Sequence, residues 1–251
     1  MESAATAYDA ANDEDDLQAS LEGMSQLLAG TLSLDQLLTR VAQFAVQAIP
    51  GADGAGVTMY EAGRRASVVS SEQFVREVDD IQYDLDEGPC VSAAAEGSTV
   101  VSGSLGGEAR WPRFGPRAGR LGVHSTLSMP LVLADEILGA LNVYARAKDV
   151  FDVHAVRLAE LFVAPAAVAV HNARVLAQTQ TQAAHLQHAL TSRATIDQAI
   201  GILRARSGAS AAEAFATLRE ISQRENVKLN LVAQRTVDEA VRRARARHSA
   251  E

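Results

Sequence analysis

From Asp152 to about Arg206 the sequence keeps a helical period far beyond the length of an ordinary helix. Within it Phe162, Ala166, Ala169, Ala173, Leu176, Gln180, Ala183, Gln187 and Leu190 alternate by four and three residues, the spacing of a heptad seam. Such a stripe must be covered along its length. Up to about Ala173 the chain's own sheet is the expected cover. Beyond it no sheet remains, and a second copy in a parallel coiled coil is expected, giving a homodimer through the 152–190 helix. Gln180 and Gln187 weaken this seam but can fix its register. Pro165 is expected to kink the helix one turn in, since proline removes one backbone bond.

The helix runs into a punctuated block, His185 to Val241, that reads as three helices. Leu186, Leu190, Ile196, Ile200 and Leu203 share a face of the first, which ends at Ser207-Gly208, where glycine can take left-handed backbone. Ser210-Ala211-Ala212-Glu213 has capping-box spacing. The second helix is expected to bury Phe215, Leu218 and Ile221 and to stop near Asn226. Asn230 is the expected cap of a third, with Leu231, Ala233, Val237 and Val241 inward. Three helices in ~57 residues make a domain that is marginal alone.

Ahead of the long helix the period changes. Leu17 to Ala29 and Ser33 to Ile49 are amphipathic, the second capped by Ser33 and ended by Pro50-Gly51. Gly54 to Tyr60 and Ala66 to Ser70 alternate as strands around Gly63-Arg64-Arg65, a hairpin signal. A short helix over Glu72 to Asp80 follows, then a turn at Asp86 to Cys90 into another helix ending near Gly97. Ser98 to Ser102 reads as a strand, and Gly103 to Arg110 as a glycine-rich mobile loop. Trp111-Pro112 opens a helix toward Leu121. Ser125 to Leu133 and Ile137 to Arg146 pair as a second hairpin around Ala134-Asp135-Glu136. Helix, antiparallel sheet and helix again describe an α+β domain.

The C-terminal block resembles an ANTAR domain, the RNA-binding output module of bacterial transcription antitermination regulators. The residues that carry the resemblance begin with Leu186-Gln187, Ala189-Leu190, Ser192-Arg193, Ile196-Asp197-Gln198-Ala199 and Gly201-Ile202-Leu203. They continue with Ser210, Glu213-Ala214-Phe215, Leu218-Arg219, Asn226, Lys228-Leu229 and Val232-Ala233. Two positions depart from the family: Ile200 stands where many members have lysine, and Arg204 where methionine is common. A lysine's contact to RNA therefore does not carry over to Ile200, and Arg204 offers a cation one turn later.

Residues 17–175 are similar to a GAF domain, a bacterial small-molecule sensor fold, on the Glu87-Gly88-Pro89-Cys90 turn, Trp111-Pro112, Ser128-Met129-Pro130-Leu131, and Leu138 to Tyr144 before Phe151. The chain thus resembles a GAF–ANTAR antitermination regulator of actinobacterial type. Its expected segments are a disordered acidic lead-in (1–16), a GAF domain (17–175), a helical coiled-coil linker (176–190), an ANTAR domain (185–242) and a basic tail (243–251). The resemblance implies a target of paired RNA hairpins in a leader transcript, one per subunit, with an antiterminator stabilised over a terminator.

The charge distribution agrees with a polyanion-binding output module. From residue 185 onward there are eleven Arg/Lys against seven Asp/Glu, a net of +4, while the rest carries 12 against 24 and a net of −12. For Arg242 to Arg247 a solvated helix end that complements the macrodipole is an equal reading. No run of ~18 apolar residues suggests a membrane span, and Met1 to Asp16 lacks the pattern of a signal peptide. A cytoplasmic protein is expected. One cysteine in 251 residues excludes an internal disulfide framework.

No catalytic constellation emerges, and neither an enzyme nor a cofactor is expected. Cys90 follows Gly-Pro at a helix start, where a thiol pKa can fall, yet a buried small hydrophobe is the preferred reading. His185 and His188 share a helix face without a third ligand. Asp79-Asp80 lacks the pattern of a phospho-acceptor domain. Phe215 is assigned to the core, so aromatic stacking of bases is not the expected mechanism. Arg193, Gln198, Gly201, Arg204, Arg206, Arg219, Lys228 and Arg235 are the expected RNA-contacting residues, with intradomain ion pairs an alternative for Arg193 and Arg219. Met59, Val69, Phe74, Cys90 and Met129 are the expected walls of a GAF pocket for an unidentified small ligand. Two other functions fit: a DNA-binding regulator built on a helix-turn-helix, or a GAF ligand-binding or redox protein with a C-terminal dimerisation tail.

Overall fold

The computed structural model describes residues 2–27, 32–61 and 64–248, in two compact units, Met1–Ala177 and Gln178–Glu251. Leu28, Ala29 and Gly63 of the expected elements lie outside the described residues, as do the last three residues of the tail.

The first unit opens with α1 (Glu2–Leu27) and α2 (Leu34–Ala48). The stretch 1–16, expected to be a disordered lead-in, is instead helical from Glu2. Leu17 and Met24 seat this helix in the core, and Asp13 meets His154 at 3.2 Å. α2 starts where Ser33 and Gln36 form a reciprocal capping box.

A five-stranded antiparallel sheet follows: β1 (Gly54–Glu61), β2 (Arg64–Ser70), β3 (Val100–Ser102), β4 (Ser125–Leu133) and β5 (Glu136–Ala145), in the order β2-β1-β5-β4-β3. Between β2 and β3 lie α3 (Gln73–Leu85) and α4 (Pro89–Glu96). Between β3 and β4 lie a 3₁₀ turn (Leu105–Gly107) and α5 (Gly115–Arg120). The expected mobile loop over 103–110 therefore contains an ordered turn, anchored by the fully buried Leu105. The helix expected from Trp111 begins four residues later.

Alternation along the strands gives the sheet two unlike faces. Ala55, Val57 and Met59 of β1, Leu127, Met129 and Leu131 of β4, and Leu141 and Val143 of β5 join one apolar core with α1, α2 and the long helix α6 (Val153–Ser207). Register sets Gly56 opposite Asn142, Asn142 opposite Ser128, and Tyr144 opposite Thr126. These residues, with Thr58, occupy the other face.

α6 continues unbroken through Pro165. Phe162, Ala166, Ala169 and Val170 are buried in the apolar core, as the first half of the seam requires. A second apolar line, Leu161, Val168 and Val175, lies on solvent one position round the helix. Past the core the helix is bare, with Leu186 62% and Leu190 65% exposed. By length and composition α6 could cross a membrane, but 44% of its most apolar window is buried within the protein.

In the second unit the C-terminal part of α6 packs with α7 (Ala211–Glu225) and α8 (Leu229–His248) around Ala199, Leu218, Val232 and Ala233. Gly208 closes α6 at φ +72°, its N–H donating to the Arg204 carbonyl at 2.9 Å. Ser210 and Glu213 form the expected capping box of α7, which ends at left-handed Asn226. α8 begins one residue before Asn230, and the Lys228 carbonyl accepts from Leu231 and Val232 instead. Val232 and Ala233 face inward, whereas Leu231 is 52% and Val241 43% exposed. Phe215, assigned to the core from its sequence spacing, is 39% exposed, and Ala214 takes the buried position beside it.

The closest packing between strands is at Gly139, where an added Cβ would lie 2.0 Å from the backbone oxygen of Thr58. Gly139→Ala is expected to destabilise the sheet unit by about 1–3 kcal/mol, lowering its Tm by roughly 3–10 °C. Thermal denaturation followed by circular dichroism measures this.

Candidate functional site

Two features stand out as candidate sites, a polar layer inside the first unit and a cationic surface on the second.

The polar layer lies between the sheet's second face and α3–α4. α3 is amphipathic, with Val75, Val78, Asp79 and Gln82 on its buried side. Two of those four are polar, and both must find partners on the sheet. Asp79 Oδ1 accepts from the Tyr144 hydroxyl at 2.5 Å, Gln82 Nε2 at 3.0 Å and Asn142 Nδ2 at 3.3 Å. Gln82 Nε2 also donates to the Tyr144 oxygen at 2.7 Å, and Gln82 Oε1 accepts from the Cys90 backbone N–H at 2.9 Å. The hydroxyls of Tyr83 and Thr58 bond to each other, and the Cys90 sulfur sits 3.5 Å from the Tyr83 oxygen.

Thr58, Asp79, Gln82, Cys90, Asn142 and Tyr144 are all completely buried. Burial pushes the Asp79 carboxyl up to about 7, against the pull of its hydrogen bonds from Tyr144, Gln82 and Asn142; the neighbouring Asp80 adds to the rise. Burial, then the nearby Asp79, likewise pushes the Cys90 thiol up and raises the Tyr144 phenol well above its usual range.

The Glu87-Gly88-Pro89-Cys90 turn fits these groups together. An added Cβ on Gly88 would lie 2.4 Å from Gln82 Oε1, so only glycine lets the turn approach Gln82 this closely. Pro89 starts α4 and sends Cys90 inward. Glu87 turns outward and accepts from the backbone N–H groups of Arg113 at 2.6 Å and Phe114 at 3.0 Å. Trp111 donates to Ser92 Oγ at 3.0 Å. The two motifs noted in the sequence thereby clamp each other.

The five expected pocket residues do not share a site. Met59, Val69 and Met129 belong to the apolar core with α2 and α6. Cys90 lies across the sheet beside Tyr83 and Ala140. Phe74 packs near Val75 and carries the Arg146 guanidinium 4.6 Å above its ring. The signal that would have found the layer is polarity in buried positions: Asp79 and Gln82 on the inward stripe of α3, and Asn142 between Leu141 and Val143.

On the second unit Arg193, Arg204, Arg206, Arg219 and Lys228 form no ion pair among the described residues. The intradomain pairs weighed for Arg193 and Arg219 are not made. Arg235 does pair, with Glu225, which Arg224 also approaches at 4.0 Å. Eleven residues along one helix bring Arg204 to within roughly 20° of Arg193, about 16 Å further along the axis. Exposed Gly201 borders the same solvent side, and nothing lies within 4 Å of where its Cβ would be, whereas Gln198, also exposed, points roughly 140° away from Arg193. Arg206 points to another side, roughly 160° from Arg204. Ile200 packs against the core of the three helices. Among the described residues, no group of three or more His, Cys, Asp or Glu gathers as a metal site.

Residues 31–171 match the GAF domain family, and residues 184–237 match the ANTAR domain family. No curated protein matches the chain. Similar solved structures include the GAF domain of a phosphoenolpyruvate-protein phosphotransferase from Coxiella burnetii, at 16% identity and TM-score 0.48, covering 67% of this chain and 97% of that one. Another is a free methionine-R-sulfoxide reductase from Neisseria meningitidis, at 15% and 0.47, covering 64% and 91%. A third is a GAF sensor protein from Burkholderia vietnamiensis, at 18% and 0.44, covering 64% and 98%.

A neutral, fully enclosed thiol is a poor nucleophile. Cys90 is expected to resist a thiol reagent such as DTNB in the native protein at pH 8 and to react once in denaturant. Rapid native labelling would show that the layer opens.

Proposed function

Because the chain belongs to the GAF-domain family and carries an ANTAR domain behind its GAF domain, we propose that it is a signal-responsive cytoplasmic regulator that grips hairpin RNA in nascent transcripts and promotes antitermination. The observation that carries this reading is the set of exposed cations that form no ion pair among the described residues, Arg193, Arg204, Arg206, Arg219 and Lys228, on a module of net positive charge in an acidic chain. Cations already paired inside a domain have little left for a phosphate, whereas these five keep their full charge for a polyanion. Arg193 and Arg204, with bare helix backbone at Gly201 beside them, suit a sugar–phosphate backbone followed along one side of α6. Exposed Phe215 adds an aromatic face that the sequence had assigned to the core.

The GAF domain is the sensing half of this reading, and α6 is the element that carries its state onward. The bare apolar residues Leu176, Leu186 and Leu190 favour a second copy as their cover. Dimerisation would present two RNA-binding modules to two hairpins. A DNA-binding regulator is the competing reading, and the same cations would serve it.

Gel shifts with hairpin RNA and with duplex DNA of matched length separate the two. RNA is expected to bind more tightly, and Arg193→Ala and Arg204→Ala each to lower the salt slope of RNA binding by about one. Equal binding of RNA and DNA, lost alike with salt, overturns specific RNA recognition. Sedimentation of the full chain is expected to give a dimer that Leu186→Asp with Leu190→Asp converts to a monomer. A wild-type monomer overturns the coiled coil.

A further inference from the structure

The polar layer beneath α3 is unusual in how its one carboxyl is served. All three donors that reach Asp79 converge on Oδ1, and Oδ2 has no partner. Oδ2 packs against Gly56, where an added Cβ would lie 2.6 Å away. Nearby, Asn142 Oδ1, Ser128 Oγ and Thr126 Oγ1 are also buried without partners. Asp79, Asn142, Ser128 and Thr126 have no exposed surface at all, so no water-sized space touches them. A bridging water needs both room and partners. A proton on Oδ2 removes its uncompensated charge without moving a helix.

We propose that Asp79 is a proton switch: protonated, it holds α3 and α4 on the sheet, and ionised, it loosens them, so that the GAF domain reads the loss or gain of this proton. The proposal rests on the reading of that domain as the sensing half, and it names the input. The facing groups leave the ionised form without a counter-charge. From α3 itself come Asp80, Gln82 and Tyr83; from α4, Cys90; from β5, Asn142 and Tyr144; from β1, Gly56, Thr58 and Tyr60. None is a cation, and no Lys, Arg or His bonds either Asp79 oxygen among the described residues.

An uncompensated charge in so closed a layer is stabilised most directly by letting water in. α3 is the element that can yield, because β1 and β5 are fixed by pairing on both sides. Gln82 extends the effect to α4, since its amide bonds Asp79 with one end and the Cys90 backbone with the other. The sign follows from the raised carboxyl. Its contribution to stability is fully present below the ordinary carboxylate range and declines as pH rises, reaching its minimum above about 7.

Hydrogen–deuterium exchange of the full-length protein tests the switch, with peptides spanning 73–96 followed at pH 5.5 and pH 8 and corrected for intrinsic rates. The wild type is expected to exchange about ten-fold faster in these peptides at pH 8, and Asp79→Asn, which keeps the acceptor at Oδ1 without the charge, to exchange equally at both. Unchanged wild-type protection, or the same pH response in Asp79→Asn, overturns the proposal. Should that variant fail to fold, infrared difference spectra of the wild type decide. A protonated-carboxyl band present at pH 5.5 and lost by pH 8 supports the switch, and its absence at pH 5.5 overturns it. Neither measurement contains RNA, so failure of the RNA reading leaves this test untouched.

Discussion

Strand pairing sends successive side chains to opposite faces of a sheet, and here the two faces have been given opposite chemistry. Between Leu138 and Ala145 of β5, Leu141 and Val143 enter the core with α2 and α6, while Asn142 and Tyr144 point to the polar layer. The apolar face supplies stability through non-directional burial. The polar face supplies a single arrangement, since each of its groups depends on a partner at a defined place. α6 is fastened to the first face and α3–α4 to the second, so the sheet separates the helix that leaves the domain from the helices that cover the buried carboxyl.

That separation explains why the polar layer can be marginal without endangering the fold. Asp79 is surrounded by donors and hydroxyls, yet its second oxygen is unmatched. In the apolar core a comparable defect would be a void, at a cost that scales with its size. In the polar layer the defect is electrostatic and reversible, because one proton removes it. The Glu87 clamp on Arg113 and Phe114 holds the far end of this region by surface bonds that do not involve the layer.

The second unit works under a different constraint. Among the described residues its buried cluster is Ala199, Leu218, Val232 and Ala233, with seven partly covered apolar neighbours and with Ala214 buried on α7, and a core that small leaves most of each helix on solvent. Exposure on this scale suits a module whose surface does the work. Among the described residues Arg193 and Arg204 form no ion pair, although Asp197 sits between them in sequence and the capping boxes and C-terminal pairs elsewhere are fully formed.

Local rules were legible wherever one residue type answers one local need. Ser33 and Ser210 cap as their spacing required, Gly208 closes α6, and the hairpin around Ala134-Asp135 joins β4 to β5. The α+β architecture and its order followed from period changes alone. Where several side chains compete for one face, spacing was insufficient. Phe215 and Leu231 fit an inward stripe by count but stand outward, because Ala214 and Val232 pack more closely. Met59 and Met129 looked like pocket walls and are core, while Asp79, which no sequence pattern singled out, is wholly buried. The sequence by itself determined the order of the main helices and strands from Leu17 onward, the caps at Ser33, Gly208 and Ser210, and the charge of each unit, since these depend on neighbours along the chain. Only the tertiary structure decided which face each residue serves and that Asp79 meets Tyr144 and Asn142, since burial and hydrogen bonding depend on partners some sixty positions away.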